Sequence, residues 1–108
     1  MGPILIGKTA EDFRGAIADL DAVATARLAG RYVKWDGVIA EPYKVRGGKR
    51  LLTATMGGMT VVCRFEAAPK KRPAKGDRIR VEGYISGILR TADPVHVDLS
   101  DCGLLACP

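Results

Sequence analysis

Apolar and polar residues alternate along residues 75–102, which is the pattern of strands with one buried face. In the first half of this segment the residues of one parity are apolar: Ile79, Val81 and Ile85. Those of the other parity are Arg78, Arg80, Glu82 and Tyr84. In the second half, Val95, Val97 and Leu99 alternate with His96, Asp98 and Ser100. The pattern predicts a hairpin with one face in a core and one basic face in solvent.

A longer period governs the apolar positions before residue 30. Thr9 followed by Asp12 is a helix-start signature, because the hydroxyl accepts from free N–H groups and an acid suits the positive end of a helix. Apolar residues then recur every three or four positions as one stripe: Phe13, Ile17, Leu20, Ala24 and Leu28. With Gly30 as a C-terminal stop, the spacing predicts one helix over residues 9–29 that packs on the strands.

A first strand is predicted over residues 31–41. Val33 and Trp35 share one face, so Trp35 is expected in the core, whereas Tyr32 and Lys34 face outward. Gly37 interrupts the strand, as glycines do where a strand bends sharply.

Two more strands are predicted over residues 51–56 and 59–66, joined by a Gly-Gly pair suited to a two-residue turn. Residues 42–50, which hold a proline, four cations and a second Gly-Gly pair, are predicted as a basic loop. The proline-rich residues 67–75 are predicted as another basic loop, either in contact with a ligand or only solvated.

The chain length of 108 residues predicts a single domain over residues 1–108, with the strands of a barrel within residues 31–103. A composition with 47% hydrophobic and 27% charged residues is typical of a folded protein. No apolar run approaches the roughly 20 residues of a membrane span, and no basic-then-apolar signal peptide opens the chain. We therefore expect a cytoplasmic protein without membrane contact.

The net charge of +5 is unevenly distributed along the chain. Residues 42–90 hold twelve Lys or Arg and three Asp or Glu, whereas the segments on either side carry more acidic than basic residues. Positive charge concentrated in this way is typical of a protein that binds a polyanion, although a solvated surface gives the same count. The sequence favours a nucleic acid or another polyanion as partner.

Five strand-like segments with a bent first strand are typical of the OB-fold, a five-stranded Greek-key barrel. The segments that sharpen this comparison are Gly37-Val38-Ile39, VVCRF at residues 61–65, and KGDRIRVEG, SG and VHVDLSDC within residues 75–102. They resemble the tRNA_anti-like family of small OB-fold proteins over roughly residues 30–103. The resemblance implies an all-β barrel with one N-terminal helix and a role in binding nucleic acid.

Cys63 and Cys102 match the two cysteine positions of that family, on strands that are neighbours in an OB barrel. The resemblance leaves two states open for them, a pair of buried thiols or a disulfide. Cys107 is left without a counterpart. No C-x-x-C spacing is present, so we expect no metal site from the three cysteines and His96.

Residues 2–9 match the phosphate-loop pattern G-x-x-x-x-G-K-[ST] letter for letter. That loop functions where a parallel strand delivers it to a helix N-terminus, and only Met1 precedes it here. We interpret the segment as an apolar stretch that leads into a helix cap.

The sequence therefore predicts a non-enzymatic module, without cofactor, that binds single-stranded nucleic acid with little sequence preference. OB-folds commonly bind over their second and third strands and the adjoining loops. The predicted contact residues are the cations and tyrosines of the basic segment and the outward strand faces: Lys34, Tyr43, Lys44, Arg46, Lys49, Arg50, Arg64, Arg78, Arg80, Tyr84 and Arg90.

The alternative is a protein-interaction module that docks on an acidic protein. Aromatic residues make up only 6% of the chain, which is few for a surface that stacks bases. The C-terminal residues 103–108, GLLACP, are apolar enough to contact a partner or a second copy of the chain.

Overall fold

The computed structural model describes residues 9–106, which form two helices and five strands. The elements are α1 (Ala10–Ile17), α2 (Ala22–Ala26), β1 (Tyr32–Arg46), β2 (Lys49–Met56), β3 (Met59–Phe65), β4 (Arg78–Leu89) and β5 (His96–Ala106). The strands close into a barrel in the order β1-β2-β3-β5-β4. Every neighbouring pair is antiparallel except β3 and β5, which are parallel. This is the arrangement of a five-stranded OB-fold barrel, so the predicted fold class is confirmed.

The barrel interior is filled by the residues that the alternation assigns to it. Ile79, Val81, Ile85, Val97 and Leu99 are all at most 2% exposed. Trp35 is buried as predicted, and its ring centroid lies 4.9 Å from that of Phe13 on α1. Alternating strands and one apolar helix stripe therefore share a single core.

The prediction of one helix over residues 9–29 is wrong, because the helix ends at Ile17 and a second one begins at Ala22. The side chain of Asp21 accepts a hydrogen bond of 2.7 Å from the backbone N–H of Ala24 and so caps a new helix. Aspartate competes with helical hydrogen bonding in this way, which is why it favours helix starts over helix interiors. Leu28 after α2 is still buried against the barrel.

The predicted loop over residues 42–50 is also wrong. β1 continues to Arg46 and β2 starts at Lys49, so the turn consists of Gly47 and Gly48, both at positive φ. The register between β1 and β2 shifts twice between Ile39 and Lys44. Pro42 lies in this irregular stretch, where a missing ladder N–H is tolerated. The segment is therefore a long hairpin whose tip carries the cations.

Gly37 permits the close contact between β1 and β2 near the point where the partner of β1 changes from β4 to β2. A Cβ atom at this position would overlap the Met56 side chain and lie 2.7 Å from the backbone oxygen of Thr55. The proximity of β2 therefore explains why a glycine fits at this position, whereas the bend stays a prediction.

A bulge in β5 reverses which residues of that strand face the core. Asp101 has a φ of 53°, and the register between β4 and β5 shifts beside it. Before the bulge the odd-numbered Val97 and Leu99 are buried, whereas after it Cys102 and Leu104 pack against the core. β5 then continues past the predicted barrel boundary at residue 103 to Ala106.

Two predicted features fall outside the described residues. The phosphate-loop match at residues 2–9 does so apart from Thr9, whose hydroxyl accepts a hydrogen bond of 3.1 Å from the Asp12 N–H as the cap of α1. Cys107 also lies outside them. Neither described helix is long and apolar enough to cross a membrane.

Candidate nucleic-acid interface

The barrel has two ends of different character. At one end lie the tip of the β1–β2 hairpin and the connection between β3 and β4. We call residues 41–50 and 64–77 together the basic end, since they hold nine Lys or Arg and three Asp or Glu. At the opposite end, which we call the helix-covered end, α1 packs over the Gly57-Gly58 turn and residues 90–95 lead into β5.

The 66–77 connection is tied to the hairpin, although the two are far apart in sequence. The guanidinium of Arg72 lies 4.5 Å from the centre of the Tyr43 ring, a cation–π contact. Arg50 donates a hydrogen bond of 2.9 Å to the backbone oxygen of Glu66. At the far side of the connection, the Gly76 N–H donates to the backbone oxygen of Ile39 at 2.8 Å. The hairpin and the connection thus form one surface.

The ring of Tyr43 contacts two other side chains, whereas a ring that stacks on a base is expected to have a free face. It is half-buried, with Arg72 over the ring and with Phe65 at a centroid distance of 6.2 Å in an edge-on arrangement. The ring therefore supports the 66–77 connection in this structure.

Most cations of the basic end are not neutralised by a neighbouring acid. Lys44 pairs with Glu41 at 3.0 Å, and this pair is exposed. Within residues 9–106, the exposed cations without an ion pair at this end are Arg46, Lys49, Arg64, Lys70, Lys71, Arg72 and Lys75. Positive charges without local partners maintain a positive potential that attracts anions.

The contact residues predicted from the sequence do not include Lys70, Lys71, Arg72 and Lys75. The signal was present in the run AAPKKRPAK, but a short basic run with prolines is equally typical of a solvated loop. Contact with Tyr43 is what joins this run to the hairpin, and that contact follows from the tertiary fold.

The outer face of β1 and β4 holds several predicted contact residues but is balanced in charge. Arg80 donates to both carboxylate oxygens of Asp36, at 2.6 and 3.3 Å. This hydrogen bond lowers the pKa of Asp36 and raises the pKa of Arg80. Lys34 lies opposite Glu82 in the strand register. Positive charge on this face is therefore offset by nearby acids.

The two tyrosines on the same face contact each other. The ring centroids of Tyr32 and Tyr84 lie 5.7 Å apart in an edge-on arrangement. The Tyr32 hydroxyl donates a hydrogen bond of 2.5 Å to Glu82, and this bond raises the pKa of Tyr32. Arg78 begins β4 beside Val38, whereas Arg90 follows β4 near the helix-covered end. The predicted contact residues thus divide among three regions, of which only the basic end concentrates charge.

The outer face of β2 and β3, where OB-folds commonly bind, carries mostly aliphatic and hydroxyl side chains, with Arg64 at its edge nearest the basic end. Its members are paired across the strands: Leu51 with Arg64, Thr53 with Val62, and Thr55 with Thr60. This surface offers no aromatic ring on which a base would stack.

Cys63 and Cys102 are both free thiols that lie next to each other. Cys63 is buried and Cys102 is half-buried. The hydrogen bond with Cys102 and, second, burial raise the pKa of the Cys63 thiol well above its usual value. Both states of the pair stay predictions, which titration of free thiols in the denatured, unreduced protein would distinguish.

His96 and Asp98 lie side by side on the outer face of β5, and the His96 Nε2 is within hydrogen-bond distance of an Asp98 carboxylate oxygen at 2.8 Å. In the part of the chain from Thr9 to Ala106, no three His, Cys, Asp or Glu side chains are grouped so as to hold a metal ion.

No protein-family model matches the chain, and a search of curated proteins found no match.

Proposed function

We propose that this protein is a non-enzymatic OB-fold module that binds single-stranded nucleic acid over its basic end. The observation that carries the proposal is the junction of the β1–β2 hairpin with the 66–77 connection, which gathers cations without acid partners on one surface. Lysine and arginine at such a surface neutralise phosphates and release the counterions bound to them.

The binding would depend on the backbone of the nucleic acid more than on its bases. The β2–β3 face lacks aromatic rings, and the Tyr43 ring is engaged by Arg72. Asn and Gln, which read adenine edges, do not occur anywhere in the chain. We therefore expect similar affinities for strands of different base composition.

The test is the binding of fluorescently labelled single strands of DNA and RNA, measured by anisotropy between about 50 and 200 mM salt. Because each neutralised phosphate contributes roughly 0.7 to the slope, about five contacts predict a slope of log K against log salt near −3.5. A duplex of the same sequence is measured in parallel, and tighter binding of the duplex than of the single strand would contradict the single-strand proposal. No binding of either single strand at about 50 mM salt would contradict the proposal.

A second candidate function is a protein-interaction module that docks on an acidic protein. It is favoured by the mostly aliphatic and hydroxyl side chains of the β2–β3 face, which fit a protein surface better than a stack of bases. The same salt titration distinguishes the two functions, since this candidate predicts no binding to either nucleic acid.

A further inference from the structure

The closed barrel contains one stretch of strand that is paired on a single side. β3 and β5 pair from Thr60 with His96 to Cys63 with Leu99, where their register ends. β5 continues to Ala106 with β4 alone as its neighbour. Within residues 9–106, the edge of β5 that faces β3 therefore has no ladder partner beyond Leu99. Such an edge presents unpaired backbone N–H and C=O groups.

A cleft of about 320 Å³ lies along this edge. One wall is formed by the last residues of β5, including Leu105, whose side chain is 43% exposed. The opposite wall comes from the end of β3 and the residues after it: Phe65, Ala67 and Pro69. Lys70 and Lys71, both exposed, complete the lining. The cleft thus combines an open strand edge, apolar walls and two positive charges.

We propose that this cleft binds an extended, acidic segment of a partner protein, which adds to β5 as a further strand. Backbone hydrogen bonds to the edge of β5 would hold the segment, as in other cases of strand addition. Because side chains alternate along a strand, one set would enter the apolar cleft while the other set places carboxylates near Lys70 and Lys71.

Charge and hydrogen-bonding pattern select this occupant over two others. A second copy of the chain in the same cleft would bring its own Lys70 and Lys71 toward those already there. A nucleic acid gains from the lysines but cannot continue a backbone ladder or fill apolar walls with aliphatic side chains. The cleft shares Lys70 and Lys71 with the basic end, but the inference does not rest on the nucleic-acid proposal, since the open edge of β5 and a different ligand carry it.

The probe is a blocked seven-residue peptide of sequence DVEIDVE, and its matched control is KVKIKVK, with the same aliphatic residues and the opposite charge. We expect the acidic peptide to shift the amide NMR signals of residues 64–71 and 101–106 and to slow hydrogen exchange along β5. The lysine peptide is expected to leave them unchanged. Equal binding of both peptides, or shifts confined to other regions, would overturn the proposal.

A pair of matched variants then tests whether the peptide binds in this cleft. Leu105→Asp puts a negative charge in the cleft and is expected to weaken binding of the acidic peptide at least tenfold. Leu89→Asp makes the same change at a residue that is 56% exposed near the helix-covered end, and it is expected to have no effect on peptide binding. Both positions are exposed, so the dispersed amide spectrum of the fold is expected in each. Unchanged affinity in Leu105→Asp would contradict the site.

Measuring the peptide and a single-stranded DNA on the same samples separates this inference from the nucleic-acid proposal. The double variant Arg46→Glu with Lys49→Glu, at the hairpin tip, is expected to lose affinity for DNA and to retain the peptide. Loss of both ligands would contradict a separate peptide cleft. Peptide binding without any DNA binding in the unmodified protein would leave this inference standing and remove the other.

Discussion

The two ends of the barrel are held together by different interactions. At the helix-covered end, Phe13 and Ile17 of α1 are fully buried against the core, and the backbone of α1 contacts Gly57 so closely that a side chain there would collide. At the basic end, the hairpin and the 66–77 connection meet through Arg72 on Tyr43 and through one hydrogen bond of Arg50. The helix α1 is thus joined to the barrel by apolar burial, which dominates stability, whereas the hairpin and the 66–77 connection are joined mainly by polar and cation–π contacts, which contribute less to it.

This difference predicts that stability depends more on the helix-covered end, and the proposed binding more on the basic end. A surface with many like charges gains nothing for folding from their mutual repulsion. Changes at the two ends should accordingly affect different measurements.

The largest expected effect on stability comes from Phe13→Ala. Truncating a fully buried phenylalanine that packs on Trp35 is expected to lower the free energy of unfolding by about 3–5 kcal/mol, through lost burial and the cavity left behind. Val45→Ala at the hairpin, where the side chain is 62% exposed, is the matched control and should cost less than about 0.5 kcal/mol. Chemical denaturation measures both. Similar losses at the two positions would remove the distinction between the ends.

A smaller effect is expected from Tyr43→Leu, which keeps an apolar side chain but removes the ring under Arg72. An exposed cation–π contact is worth roughly 0.5–1 kcal/mol, so exchange of the Gly76 amide should accelerate about two- to fivefold by local opening. Tyr84→Leu, on the face of β1 and β4, is the control and should leave that amide unchanged. If Gly76 exchanges at the original rate in Tyr43→Leu, the connection is not held by the Tyr43 ring.

The smallest effect is expected from Asp36→Asn, between the two ends. The hydrogen bond from Arg80 depresses the pKa of Asp36 in the folded state, so the pair contributes stability above the usual aspartate pKa of about 4 and loses it as the pH falls through the lower, folded value. The pair is exposed and its contribution is small. Unfolding measured at neutral and strongly acidic pH should show a difference between wild type and variant only at neutral pH. A difference that grows on acidification would contradict this assignment.

The alternation of residues predicted most of the barrel, because a period of two is a local property of each strand. Ile79 and Val97 are buried as their parity requires. The alternation did not predict the break between the two helices or the continuation of β1 past Pro42, because different local signals compete at both places. Asp21 caps a second helix although the apolar residues around it keep helical spacing. Pro42 lies at an irregularity within β1 although the residues around it are typical of a loop.

The candidate site was less predictable than the fold. The cations of the hairpin were identified from charge alone, but their union with the 66–77 connection depends on the contact between Arg72 and Tyr43. The pairing of Arg80 with Asp36 across β1 and β4 similarly requires the register of two distant strands. Charge density along a chain gives candidates, whereas the fold decides which of them remain unneutralised.

The most direct test of the central claim compares matched charge reversals at the two ends of the barrel. Arg46→Glu with Lys49→Glu changes the basic end, and Arg27→Glu with Arg31→Glu makes the same change in charge at exposed residues of the helical side. Binding of a single-stranded DNA at fixed salt is expected to weaken about 30-fold in the first double variant, or ~2 kcal/mol, and its salt slope to fall by about 1.4. The second double variant should change affinity only a few-fold through its long-range charge. Equal losses in the two variants would contradict the account, because binding would then follow net charge and not the basic end.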